Sequence, residues 1–118
     1  MTVIKKPLVY VAGPYTHPDP VENTHKAIRA GIALQETGLC AIIIPHLSML
    51  AHVVSPRPPS FWYELDLDQL AHADALYLLP GESWGADREV ERAHELDIPV
   101  FEQHHELMTW LMDLTEDE

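Results

Sequence analysis

The chain has 118 residues, 47% of them apolar, enough for one domain (1–118) with a buried core. Nineteen acidic residues against seven basic give a net charge of −12, which excludes the basic surface that polymeric DNA or RNA requires. No apolar run approaches the roughly 20 residues that cross a bilayer, so no membrane partner is expected.

The N-terminal stretch MTVIKKPLVYVAGPY carries two lysines and then a short apolar run that stops at Gly13-Pro14, too early for the apolar region of a signal peptide. Residues 8–12, LVYVA, read as a first strand closed by Gly13-Pro14. Residues 20–37 have helical periodicity, with Ala27, Ile28, Gly31, Ile32 and Leu34 on one side and Gly38 as the stop. The continuous apolar run LCAIII, 39–44, suits a strand buried on both faces, and Pro45 ends it. The lone cysteine, Cys40, lies in this run, and a buried thiol in a reducing cytoplasm is the expectation.

Residues 46–59 contain Pro56, Pro58 and Pro59 and read as a loop with a helical turn around 47–52. Ser60 is the expected N-cap of a helix reaching about Ala73. DALYLL, 74–79, is a third strand ended by Pro80-Gly81. A helix over about 85–96, a short strand IPVF at 98–101 and an amphipathic helix over about 104–113 complete the chain. The eight histidines are scattered without metal-ligand spacing, and His104-His105 falls in a polar connection, so neither a metal nor a cofactor is expected. Strands alternating with helices over short loops predict an α/β fold. Its open parallel sheet has about four to five strands flanked by helices, a flavodoxin- or Rossmann-like three-layer arrangement. Ligands of such sheets sit at the carboxyl ends of the strands, here Gly13-Pro14-Tyr15, Pro45-His46 and 80–83.

Two acids break the amphipathic pattern. On a wheel of about 100° per residue with Ala86 at zero, Val90, Ala93 and Leu96 define an inward arc, and Glu89 falls inside it at about 300°. Asp87, Arg88, Glu91, Arg92, His94 and Glu95 face out. On 61–73, Asp66 falls within the arc of Trp62, Tyr63, Leu67, Leu70 and Ala73. A buried carboxylate costs several kcal/mol unless it is paired, and desolvation raises its pKa toward the range useful for acid–base work or attack. The alternative is a structural acid that caps a helix or pairs with Arg29, Arg57 or Arg88. Ser83 can cap the helix that follows, and Gly85 lets a ligand approach the free amides there. Tyr15 is placed to hydrogen-bond a carboxylate or to pack on the sheet edge.

The stretches VYVAGPY (9–15), DLDQLAHAD (66–74) and SWGADREVERA (83–93) together resemble the nucleoside 2-deoxyribosyltransferase superfamily. That superfamily includes the nucleoside 5′-monophosphate N-glycosidases, and the resemblance is strongest to a short branch of it. It spans residues 8 to 101 and implies Glu89 as nucleophile, Asp66 as the group that handles the departing base, and Tyr15 as the aromatic residue that steadies the nucleophile. It places Gly13, Pro14, His46, Trp62, Ser83, Trp84, Gly85 and Ala86 around the substrate. The implied function is cleavage of an N-glycosidic bond, or base exchange, on a (deoxy)nucleoside or nucleotide. A small sheet with thin edges leads to the expectation of a cytoplasmic homodimer or higher homo-oligomer, with apolar residues of the Trp62-Tyr63 helix and of 47–54 as the interface. The first loop, 13–18, lacks the glycine- and serine-rich composition of phosphate-binding members. The tail EQHHELMTWLMDLTEDE has no asparagine of the kind that transferases take from a neighbouring subunit. The competing expectation is a non-catalytic nucleotide-binding or sensing module. A phosphoribohydrolase-type enzyme would need a Gly-Gly-x-Gly-Thr motif, which the chain lacks.

Overall fold

The computed structural model describes residues 5–116. Its four strands are β1 (Leu8–Ala12), β2 (Ala41–Ile43), β3 (Ala75–Leu78) and β4 (Val100–Phe101), all parallel, in the order β2-β1-β3-β4. Its helices are α1 (Pro20–Glu36), α2 (Ser48–Val54), α3 (Pro59–Leu70), α4 (Trp84–Glu95) and α5 (His104–Glu116). The α/β class and the parallel sheet are as expected.

Alternation along β1 builds the two faces. Val9 and Val11 pack with Ala27 and Leu34 of α1 and Leu107 and Leu111 of α5. Tyr10 and Ala12 point the other way, into a cluster with Leu70 at the end of α3 and Ala93 of α4. The sheet is therefore the middle of three layers. The chain leaves β1 toward β2 on one side and returns to β3 on the other. The point where this direction reverses lies between β1 and β3, where open parallel sheets leave a crevice.

Local chemistry sets the helix ends. Asp19 caps α1 by accepting from the Val21 N–H at 2.9 Å, with Pro20 at the first helical position. Gly38, at φ 73°, ends it in the left-handed conformation. Gly81 has φ 121°, and a Cβ there would lie 2.7 Å from Pro14 Cγ. The turns after β1 and β3 are thus in direct contact, and only glycine fits at their junction.

Several expected details differ. LCAIII forms only a three-residue strand, exposed or half-buried rather than covered on both sides, because β2 is the sheet edge. Residues 46–59 are more helical than expected: a 3₁₀ turn at Pro45–Leu47 runs into α2. α3 starts at Pro59 with Pro58 as cap and no side-chain capping bond, so Ser60 lies inside the first turn, and the helix stops at Leu70. Ile32 is on the exposed side of α1, and His104-His105 open α5 rather than sitting in a connection. Cys40 is buried, with its Sγ 3.7 Å from the Leu34 carbonyl.

Candidate active site

The crevice between β1 and β3 opens into a cavity of about 710 Å³. Its floor carries the two inward acids. α4 brings Glu89, which is only 6% exposed, and α3 brings Asp66, which is half-buried. Glu89 Oε2 and Asp66 Oδ1 are both sealed from solvent without a hydrogen-bond partner. The expected structural ion pairs do not form. Among the described residues the ion pair is Arg92–Glu95, and neither inward acid pairs with Arg29, Arg57 or Arg88.

Burial pushes the Asp66 carboxyl up to about 8, and the neighbouring Glu89 charge adds to the rise. Burial pushes Glu89 up to about 7, against a smaller opposing pull from the Tyr10 hydroxyl. Two carboxyls that repel each other and are shielded from solvent cannot both ionise easily. The pair therefore keeps a proton to higher pH than an isolated carboxyl would.

Tyr10 went unnoticed in the sequence. It is fully buried on β1, on the face that α4 covers. Burial raises its phenol far above the usual range, and the Glu89 and Asp66 charges reinforce the rise. Its hydroxyl lies near enough to favour the Glu89 carboxylate, yet neither Tyr10 Oη nor Glu89 Oε2 completes a hydrogen bond of good geometry. We read this as a donor adjacent to the acid and not yet engaged by it. The sequence signal was a phenol inside an apolar strand, since a buried tyrosine hydroxyl normally needs a partner.

The resemblance assigned Tyr15, not Tyr10, to steady Glu89. In the structure the phenol beside Glu89 is Tyr10, and the charge that Tyr15 feels is that of Asp66. The reason is the turn: Tyr15 has left the strand and sets its ring edge-on against His46, 5.9 Å between centroids. His46 Nε2 lies 2.9 Å from the Pro14 carbonyl. A carbonyl only accepts, so Nε2 carries the proton. His46 is buried, and burial lowers its pKa and keeps the ring neutral.

The remaining expected residues fall as follows. Gly13, Tyr15, His46 and Trp62 line the cavity, as do Ser83, Trp84, Gly85 and Ala86 at the start of α4. Pro14 does not line it and acts through its carbonyl. Ser83 caps α4, its Oγ accepting from the Ala86 N–H at 3.1 Å. Tyr63 and the exposed Trp84 face each other at 5.9 Å, and the Arg88 guanidinium lies over the Trp84 ring at 5.2 Å.

Two further residues escaped the sequence reading. Asn23, buried on α1, donates to the carbonyls of Tyr15 at 3.0 Å and His17 at 2.9 Å and so ties down the loop after β1. His52 of α2 lines the cavity, and its Nδ1 accepts from Trp62 Nε1 at 2.8 Å and from the Arg57 amide at 3.3 Å. Asn23 was visible as a polar residue on the inward side of a helix. His52 had no local signal, because its partners lie beyond a proline-rich turn.

Among the described residues no group of three or more His, Cys, Asp or Glu side chains is arranged to hold a metal. No described helix is long and apolar enough to cross a membrane. The cavity instead offers two raised carboxyls, two phenols, aromatic walls and the N-terminus of a helix.

No protein-family model matches this sequence, and no curated protein matches it either. Among solved structures, a 2-deoxyribosyltransferase from the psychrotolerant bacterium Bacillus psychrosaccharolyticus superposes with a TM-score of 0.56. The chain has the fold of a 2-deoxyribosyltransferase. Identity to that enzyme is 19%, over 79% of this chain and 69% of the other. It is described as a biocatalyst for the synthesis of nucleosides.

Proposed function

We propose that the protein cleaves the N-glycosidic bond of a (deoxy)nucleoside or nucleotide, or exchanges its base, through attack by Glu89. The observation that carries this reading is the pair of acids lining one cavity, each with a buried carboxyl oxygen that has no hydrogen-bond partner, both pushed up by burial. The shared fold and the resemblance in sequence supply the bond.

As the base departs, positive charge develops at the anomeric carbon. The charged Glu89 carboxylate forms a bond to that carbon while the C–N bond breaks. Neutral Asp66 gives its proton to the leaving nitrogen, and the electron pair of the broken bond goes to the base. Water then attacks the sugar ester, Asp66 recovers a proton from it, and Glu89 is released; a second base in place of water gives transfer. Tyr10 donates toward Glu89 and Tyr15 lies toward Asp66. The aromatic rings of Trp62 and Trp84 flank the base, and Ser83 with the amides of 84–86 faces the sugar. The protein acts in the cytoplasm as a homodimer or higher homo-oligomer.

Incubation with a panel of deoxynucleosides and their 5′-monophosphates, read by chromatography of free base, tests the reading. Release is expected from at least one member and is expected to fall by about 10³-fold or more in Glu89→Ala. Binding without release in the wild type would favour a nucleotide-sensing module. Release unchanged in Glu89→Ala would remove the nucleophile.

A further inference from the structure

α2 leaves Leu50, Val53 and Val54 in solvent and turns Ser48 and His52, one turn apart, to the cavity. Hydrogen bonds fix the tautomer of His52. Its Nδ1 accepts from the Trp62 indole N–H at 2.8 Å and from the Arg57 amide at 3.3 Å. An indole N–H and a backbone amide only donate, so Nδ1 carries no proton and the ring proton sits on Nε2. Among the described residues that N–H meets no acceptor, and His52 is exposed. His46 differs. It gives its proton to the Pro14 carbonyl, and its other nitrogen, Nδ1, is sealed from solvent. His52 is therefore the imidazole with a group to offer a ligand.

The Trp62 bond also places His52 relative to the chemistry. Trp62 and Asp66 are four residues apart on α3, and both line the cavity. They share a face of the helix about one turn, roughly 5.4 Å, apart. That spacing is close to the width of a base. With Asp66 at the leaving nitrogen, the ring lies along Trp62, and its edge remote from the sugar reaches His52.

The wall at that edge is rich in donors. No Asp or Glu occurs between Glu36 and Glu64. Arg57, which also lines the cavity, adds the N–H groups of its guanidinium to the same wall. The acids that line the cavity, Asp66, Glu82 and Glu89, all come later in the chain. A carbonyl oxygen at the remote edge of a base satisfies a donor here. An exocyclic amine sets donor against donor and leaves an N–H unpaired.

We infer that His52 sets base specificity: its Nε2–H donates to an exocyclic carbonyl oxygen, which selects 6-oxopurine or 4-oxopyrimidine nucleosides over their 6-amino or 4-amino counterparts. The inference rests on the proposed function, which supplies the nucleoside.

Base release from matched pairs tests it: 2′-deoxyinosine against 2′-deoxyadenosine, and 2′-deoxyuridine against 2′-deoxycytidine. The oxo member of at least one pair is expected to have a kcat/KM about 10–100-fold higher. In His52→Ala, at an exposed position, circular dichroism is expected to match the wild type. The ratio is expected to fall to within about 3-fold, through loss on the oxo member. Trp62→Phe keeps an aromatic ring but frees Nδ1, so the imidazole takes either tautomer and the ratio is expected to fall there too. A histidine that only propped up Trp62 would affect both members alike. An unchanged ratio in His52→Ala therefore overturns the inference, and so does a wild type that treats the members equally or favours the amino one. If the wild type releases no base, the proposed function fails, and calorimetric titration with free hypoxanthine and adenine decides the inference. Hypoxanthine is expected to bind about 10-fold more tightly, with the margin lost in His52→Ala. Equal binding of the two, or binding of neither, overturns it.

Discussion

The face of the sheet covered by α1 and α5 and the face covered by α3 and α4 share the same four strands but bury different chemistry. On the first, Val9, Val11, Leu34, Leu107 and Leu111 make an apolar contact layer. On the second, Tyr10, Glu89 and Asp66 leave polar atoms sealed from water with no partner. An unpartnered buried acceptor costs on the order of 1–3 kcal/mol, so the second face gives up stability that the first supplies. A fold selected only to persist would fill both faces alike. The proposed function gives that asymmetry a use.

Substitutions on the two faces should therefore separate activity from stability. After Glu89→Ala, the largest effect is expected at Asp66: Asp66→Asn should lower kcat for base release by about 10²–10⁴-fold. The same change should stabilise the protein in alkali. The folded-state pKa of Asp66 lies above the unfolded one, so its favourable contribution is complete in acid and is lost as pH rises from about 4 through about 8. The melting temperature of Asp66→Asn should exceed the wild type's by on the order of 5 °C at pH 9, and the gap should close toward pH 4. Equal melting temperatures at both pH values would show that the carboxyl is not desolvated.

Leu107→Ala, on the opposite face, should cost about 2–5 kcal/mol in denaturant unfolding while kcat per folded molecule stays unchanged. Loss of kcat there would blur the division between the faces. The smallest effect is expected at Tyr10. Without its hydroxyl, Glu89 loses the one group that favours its charged form. In Tyr10→Phe the acid limb of the kcat/KM profile should move to higher pH, with a rate at neutral pH lower by roughly 10-fold. An unmoved acid limb would place Tyr10 in packing alone.

Much of the fold was legible because its signals are local. Asp19-Pro20 and Gly38 punctuate α1, and Ser83 caps α4 as its position suggested. The inward tilt of Glu89 followed from the apolar residues one turn away. What was hidden depends on neighbours distant in sequence. β2 reads as a buried strand because its residues are apolar, and only strand order reveals it as an edge. α2 has no amphipathic signal of the usual kind, since its apolar arc faces water. The sequence points to Tyr15 for the place beside Glu89, and only the alternation of β1 against α4 puts Tyr10 there.

A crystal structure with a non-cleavable deoxynucleoside analogue bound tests the central claim most directly. The account predicts the anomeric carbon in contact with the Glu89 carboxylate and the base nitrogen within hydrogen-bond reach of Asp66. An analogue seated with its sugar away from Glu89, or bound outside the crevice between β1 and β3, would contradict it.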